Sequence, residues 1–318
     1  LIKRIMKKFL WTTLAVVMCL FTACSDDDGN KIPEGPTTTF AGKLPTKVGD
    51  YTFVYDENNR CIQVKDGSYV YCEIDYDKGV IISDDEEVKV SFNSKGYITE
   101  VSSKWNYEEE GDTYKGSGKI SFHYNSDGQL VSSSLSSSES GKEDGESFSY
   151  RTSGESAYTW ENGNLVKTVI KEVEEDDQGK YEYGATYTIK YGNDKNELGQ
   201  NTKTEAEVLE LEEVDVLSLI GMLGKSSLYF PVSYTDKYYE KDMEQDYENE
   251  DNYDVHYDLN EDGTIEMEYI SHDSYTTSYQ YFYTTVTDEE PEGRSLGDNS
   301  KTKKLSFRSF FVRHHAKK

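Results

Sequence analysis

The chain has 318 residues, with 61 acidic against 34 basic side chains and a formal net charge of −27. Such a surface repels phosphate, which excludes nucleic acid and anionic lipid headgroups as partners and leaves cations, basic proteins and neutral glycans open. The 27 tyrosines, 12 phenylalanines and 3 tryptophans supply strand propensity and apolar area, so a folded β protein is expected rather than an acidic disordered chain.

Met6-Lys7-Lys8 is a short basic region, and residues 9–23 form an uncharged apolar run. This is the pattern of a secretory signal, with Leu1 to Ile5 as an extension ahead of a start at Met6. The run is shorter than the ~20 apolar residues a spanning helix needs. Phe21-Thr22-Ala23-Cys24 resembles a bacterial lipobox, in which a small residue precedes the cysteine that receives lipid. Residues 1–23 are therefore expected to be removed and Cys24 to be acylated, anchoring the chain to a membrane through lipid alone. A generic signal peptide with an incidental cysteine is the alternative. Ser25-Asp26-Asp27-Asp28 resembles the acidic tag that sends Bacteroidota lipoproteins to the cell surface; a solvated linker is the plain alternative. Residues 24–39 read as an acidic tether, and the expected location is the outer membrane at the surface of a Gram-negative, Bacteroides-like cell. Loss of the four basic residues before Cys24 takes the charge from −27 to −31. The last 18 residues carry seven Lys and Arg, so residues 25–300 stand near −38.

Residues 40–288 read as one β domain. "CIQVKDGSYVYC" (61–72) is a hairpin with Asp66-Gly67 as its turn. Pairing outward sets Lys65 against Ser68 and Cys61 against Cys72, with Cα atoms ~5.5 Å apart. That lies inside the disulfide window, and an oxidising envelope permits the bond; two unlinked thiols are the alternative. The same plan recurs in "YTFVYDENNRCIQV" (51–64), "VKVSFNSKGYITEV" (88–101), "KISFHYNSDGQLVS" (119–132), "AYTWENGNLVKT" (157–168), "YTIKYGNDKNEL" (187–198) and "DVHYDLNEDGTIEM" (254–267). Alternating aromatic or β-branched residues run into Asp or Asn, then a turn with Gly or Asn. The fold class is all-β: about a dozen antiparallel strands in a meander of long hairpins, curled into a half-barrel or barrel-like sheet. A membrane-spanning barrel is not expected, because Lys, Glu, Ser and Thr alternate with the aromatics where lipid would demand apolar residues.

"EAEVLELEEVDVLSLIGMLGKSSLYFP" (205–231) breaks the pattern. Val214, Leu217, Ile220 and Leu223 share a helical stripe that Leu219 and Met222 widen, and Gly224 suits a C-cap. One short apolar helix over a face or an open end of the sheet is expected, a further pair of buried strands being the alternative. The lipobox, the Y-x-Y-(D/N)-x-x-G-x-(L/I) hairpins and the late "LIGMLGKSSLYFP" element together resemble a family of uncharacterised Bacteroides-type lipoproteins, a domain of unknown function described as porin-like in fold. The resemblance covers roughly residues 40–288. It implies a fold and no catalytic residues.

In "DLNEDGTIEMEY" (258–269), Asp258, Asn260 and Asp262 stand at positions 1, 3 and 5 of a calcium loop and Gly263 at position 6. Position 12 is Tyr269 instead of the bidentate glutamate. Weak calcium binding is one reading and a plain hairpin turn the other; no other cofactor or metal is expected. The histidines, His123, His256, His272, His314 and His315, show no zinc spacing. "YTTSYQYFYTTV" (275–286) places Tyr275, Tyr279, Tyr281 and Tyr283 on one strand face, either as an exposed aromatic row for a sugar or peptide or as core. Residues 289–318 read as a linker and a basic tail outside the domain. The expectation is a non-catalytic envelope lipoprotein that binds a glycan or protein or serves a structural role. A hydrolase with an unrecognised carboxylate site and a carrier of an apolar ligand on the concave face are the alternatives.

Overall fold

The computed structural model describes residues 42–285, apart from 84–85, 110, 144, 178, 212–213 and 242–245. The signal sequence, Cys24, the acidic tether and the basic tail lie outside the described residues. The strands are β1 (Lys43–Val48), β2 (Tyr51–Tyr55), β3 (Cys61–Asp66), β4 (Tyr69–Asp75), β5 (Val80–Ser83), β6 (Glu86–Phe92), β7 (Ile98–Glu109) and β8 (Asp112–Tyr124), followed by β9 (Leu130–Glu143), β10 (Glu146–Glu161), β11 (Asn164–Asp176), β12 (Lys180–Lys195), β13 (Tyr229–Lys241), β14 (Asp246–Leu259), β15 (Ile265–His272) and β16 (Tyr275–Thr285). Two short helices, α1 (Lys203–Leu209) and α2 (Asp215–Ser218), lie between β12 and β13.

Each strand pairs with its sequence neighbours, and β1 returns to β16, so the meander is a closed antiparallel barrel of sixteen strands. Closure leaves no unpaired sheet edge. The dozen strands expected fall short partly because "SYVYCEIDYDKGVIIS" lacks the repeat and folds as the short hairpin β4–β5, with Asp75 Oδ1 accepting from Lys78 N at 3.0 Å in its turn.

Alternation along each strand sorts the side chains. On β12, Tyr183, Tyr187, Ile189 and Tyr191 face inward, while Lys180, Thr188 and Lys190 face outward. On β9, Ser134, Ser136, Ser138 and Ser140 face outward opposite Ser133, Leu135, Ser137 and Glu139. From β7 to β12 the outer wall is therefore mostly serine, threonine, lysine and glutamate, with Val169 and Val173 among the exceptions, the inverse of a lipid-facing barrel.

Five of the six repeated motifs place their Asp or Asn in one turn geometry at one end of the barrel. Asn93 and Asn125 each accept Lys95 N and Tyr97 N, or Asp127 N and Gln129 N, on Oδ1, and the glycine three residues on donates to the Asn carbonyl. Asp56 does the same with Asn59 in the glycine's place. The fourth turn residue needs a left-handed backbone, supplied by Asn59 (φ 60°), Gly96 (78°), Gly128 (86°), Gly199 (67°) and Gly263 (80°). At Asn260 the backbone bonds recur but Asp262 accepts Thr264 N, and the copy at Asn196 differs in a backbone bond. Elsewhere the first residue's N–H closes onto the carbonyl four residues on; Asn196 N donates instead to Leu228 O at 2.9 Å. Residues 201–227 are thus an insertion within a repeat turn.

That insertion plugs the same end of the barrel. Ile98 N donates to Met222 O (2.9 Å), Lys225 N to Gly128 O (2.9 Å) and Leu228 N to Gly163 O (3.2 Å), tying it to three hairpin turns. Val214, Val216, Leu217, Leu219, Ile220 and Met222 are buried in the main hydrophobic core. The single expected helix is two. The stripe from Val214 to Leu223 does not stay helical, because α2 stops in a Schellman arrangement: Gly221 (φ 74°) donates to Ser218 O and Met222 N to Leu217 O. The glycine that ends the helix is Gly221, not Gly224. Gly224 serves another purpose: a Cβ there would stand 2.8 Å from Gly128 O. Helix α1 was outside the expected stripe; Thr202 caps it by accepting Glu205 N.

Candidate functional site

Two regions concentrate polar chemistry: the seam between plug and barrel wall, and a depression on the outer wall. The seam is built from carboxylates and tyrosines. Glu268 on β15 is fully buried and accepts Lys203 N, Thr204 N (both 2.8 Å), Thr204 Oγ1 (2.6 Å) and Tyr257 OH (3.1 Å), with Tyr281 OH closer still. It thereby takes up orphan N–H groups at the start of α1. Three plug glutamates point the other way, into the wall. Glu207 accepts Tyr234 OH (3.1 Å) and Tyr279 OH (3.3 Å), and Glu210 accepts Tyr183 OH (2.5 Å). Glu205 accepts Ser227 N at 3.0 Å.

Burial pushes the Glu205 carboxyl up to about 7, and it lifts Glu207 as well. Asp236 on β13 rises to about 6 through burial and then through the facing Glu210 and Asp251 carboxylates. A cavity of about 20 Å³ beside Glu205, Trp160 and Leu223 is large enough for one water molecule. This seam is an anchoring surface: Glu205 titrates near neutrality but is enclosed by Ser227 and Tyr191 rather than open to a substrate.

Of the two readings of the β16 tyrosines, core lining describes this face and an exposed row does not. Tyr279, Tyr281 and Tyr283 point inward, and Tyr281 is 4% exposed. Tyr283 OH donates to Gln200 Oε1 at 2.8 Å, as Tyr279 and Tyr281 donate to the seam glutamates. Tyr275 alone is exposed. Closing the barrel turned this face into the lining of the plugged end.

The segment read as a calcium loop forms a hairpin turn. Asn260 and Asp262 are committed to Thr264, Asp262 accepting its N (3.0 Å) and Oγ1 (2.6 Å) while Asn260 Nδ2 donates to its Oγ1 (3.0 Å). Asp262 also pairs with Lys43. Asp258 lies on the outer face and accepts Tyr269 OH at 3.0 Å. The three groups do not converge, and among the described residues no cluster of His, Cys, Asp or Glu suits a metal ion. His123 and His256 are both exposed on outer faces.

The hairpin at Cys61 and Cys72 also differs from expectation. Asp66 pairs with Tyr69, so the turn is Gly67-Ser68, one residue later than expected. A bulge between Val64 and Lys65 then sets Cys72 opposite Val64. Both cysteines are buried free thiols, Cys61 pushed up to about 12 by burial and Cys72 also raised.

The depression lies on the outer wall of β8–β11 and has a volume of about 350 Å³. Two cross-strand rows line it. One runs Ser121, Ser134, Glu155, Lys171, and the next Lys119, Ser136, Ser153, Val173, each residue opposite its neighbour. Lys119 pairs outward with Glu100 on β7 at 2.5 Å. Lys171 forms no ion pair among the described residues. Nothing in the sequence reading singled out these positions.

No family model and no curated protein matches the chain. Among solved structures it is similar to a porin-like protein from Bacteroides vulgatus, at 16% identity over 76% of this chain and 98% of that one, with a TM-score of 0.47. It is also similar to a porin-like protein from Bacteroides uniformis, at 14% identity over 64% of this chain and 93% of that one, with a TM-score of 0.27.

Proposed function

We propose that this chain is a non-catalytic, lipid-anchored envelope protein whose barrel stands in water and binds a glycan on its outer wall. The observation that carries the reading is the outward face of β8–β11, a depression floored by serine hydroxyls and flanked by Lys119, Glu155 and Lys171. Hydroxyl and charged groups of both signs on a concave face match the hydroxyl pattern of a sugar ring. Several outward lysines would each cost about 2–4 kcal/mol at the middle of a bilayer, which favours a barrel held beside the membrane. The lipobox at Cys24 supplies the tether for that arrangement, and the acidic run after it favours the cell surface.

Protease treatment of intact cells, with Cys24→Ala as control, tests the placement. Loss of the protein from intact cells, together with release of the control from the membrane fraction, is the expected result. Protection in intact cells with digestion only after lysis would overturn surface exposure and turn the search to periplasmic ligands. Binding of purified protein to a panel of immobilised glycans tests the activity; no binding across the panel would overturn it.

A further inference from the structure

The outer wall of β8–β11 departs from the rest of this acidic chain. Lys115, Lys119, Lys142, Arg151, Lys167 and Lys171 all stand on its outward face, against Glu155, Glu161 and Glu175. The chain as a whole is at −27. The outward face of β14 shows the opposite balance, with Asp246, Glu248, Glu250, Asp254 and Asp258. Charge is therefore segregated around the barrel, and the depression lies inside the basic sector. At physiological ionic strength fields are screened over about 8 Å. A ligand in the depression accordingly responds to Lys171 and its neighbours rather than to the distant acidic wall.

Resting on the glycan-binding reading above, we propose that the depression takes an acidic sugar, a pyranose bearing a carboxylate or sulfate, with Lys171 receiving the anionic group. The lining argues for a sugar over a bare anion. Glu155 stands directly opposite Lys171 across the β10–β11 pair. Its carboxylate weakens the binding of any anion that offers it nothing in return, but it can accept hydrogen bonds from the hydroxyls that a sugar carries and an inorganic anion lacks. Ser134, Ser136 and Ser153 can both donate and accept. A neutral sugar uses these groups but leaves the Lys171 ammonium unmatched, whereas an acidic one engages the whole lining. Among the described residues no aromatic side chain lines the depression, so they offer no stacking platform of the kind that unpaired nucleobases use. The volume stands at the small end of the roughly 300–1,000 Å³ seen for ligand pockets, which suits one or two rings of a longer chain.

Titration calorimetry on the full chain tests this with a galacturonate oligosaccharide, a sulfated oligosaccharide, an uncharged glucose oligosaccharide of equal length, and inorganic sulfate. At least one acidic oligosaccharide should bind at least tenfold more tightly than the uncharged one, and more weakly as salt rises. Lys171→Ala should remove that preference, and Ser136→Leu, which fills the depression, should abolish binding. Both positions are exposed, and an unchanged circular dichroism spectrum checks that the variants fold. Equal binding of charged and uncharged oligosaccharides overturns the acidic-sugar inference while leaving glycan binding intact. Binding of sulfate as tightly as the oligosaccharides overturns it in favour of a simple anion site. Binding unaffected by either substitution moves the glycan site elsewhere, and no binding by any oligosaccharide overturns both readings.

Discussion

Glu205 is a carboxyl sealed between the plug and the wall, and its replacement by glutamine should remove much of the protein's pH dependence. Burial raises the folded-state value to about 7, against an ordinary glutamate near 4.5 when the chain is unfolded. A group raised in this way contributes stability that is fully present below the unfolded value and is lost as pH rises through the folded one. The loss therefore falls between about pH 4.5 and 7. At about 1.4 kcal/mol per pH unit it amounts to about 3 kcal/mol from this one residue. Glu207 and Asp236 act in the same direction, Asp236 less because it is only half buried. Glutamine keeps the shape: its carbonyl can still accept Ser227 N, and its amide can donate toward Tyr191. It cannot ionise. Urea unfolding of wild type and Glu205→Gln at pH 5, 6, 7 and 8 reads the difference directly. Wild type should lose about 3 kcal/mol more than the variant across that range, equivalent to roughly 6–12 °C in melting temperature for a domain of this size. At pH 8 the variant should equal or exceed wild type. Parallel pH profiles for the two proteins would refute the reasoning and mean that the buried carboxyl is solvated by water not accounted for in the seam.

Other outcomes follow from the same geometry. Glu268→Ala removes the acceptor for two backbone N–H groups and two tyrosine hydroxyls at the start of α1, and should cost about 3–5 kcal/mol in urea unfolding. Met222→Ala, in a wholly buried plug residue, should cost about 2–5 kcal/mol by the same assay. Cys61 and Cys72 should migrate as unlinked thiols on a non-reducing gel and react with a maleimide at pH 8 only once the barrel is unfolded, since burial keeps both protonated. Millimolar calcium should leave the melting temperature unchanged, because Asn260 and Asp262 are spent on Thr264.

Much of the barrel was legible because its information is local. The Asx–Gly turns fix one end of most long hairpins, and alternation fixes which residues share a face. Alternation does not say which face is inside. For β16, exposed row and core lining carry the same pattern, and only closure onto β1 decided between them. The hairpin at Cys61 failed for a related reason: a one-residue shift of the turn and one bulge, both compatible with the sequence, separated the two cysteines. The seam was out of reach. Glutamates read as solvated in any sequence, and the backbone donors that make Glu268 tolerable in the interior come from residues more than 60 positions away. The basic sector was hidden by the net charge, which averages over a wall that alternates in sign around the barrel.

The pairing of Lys43 with Thr285 brings together residues about 240 positions apart in a fold whose other strand pairs are mostly near neighbours in sequence. Closing a loop of that length costs about 3 kcal/mol more in chain entropy than closing a ten-residue hairpin. The β1–β16 seam is therefore the natural last step of assembly, reached once a curved sheet has already formed. It also marks where the covalent order of the chain matters least. A circular permutant joined by a short linker between residues 43 and 285, and opened at the exposed Gly67 turn, would keep the same wall, the same plug and the same neighbours for each strand.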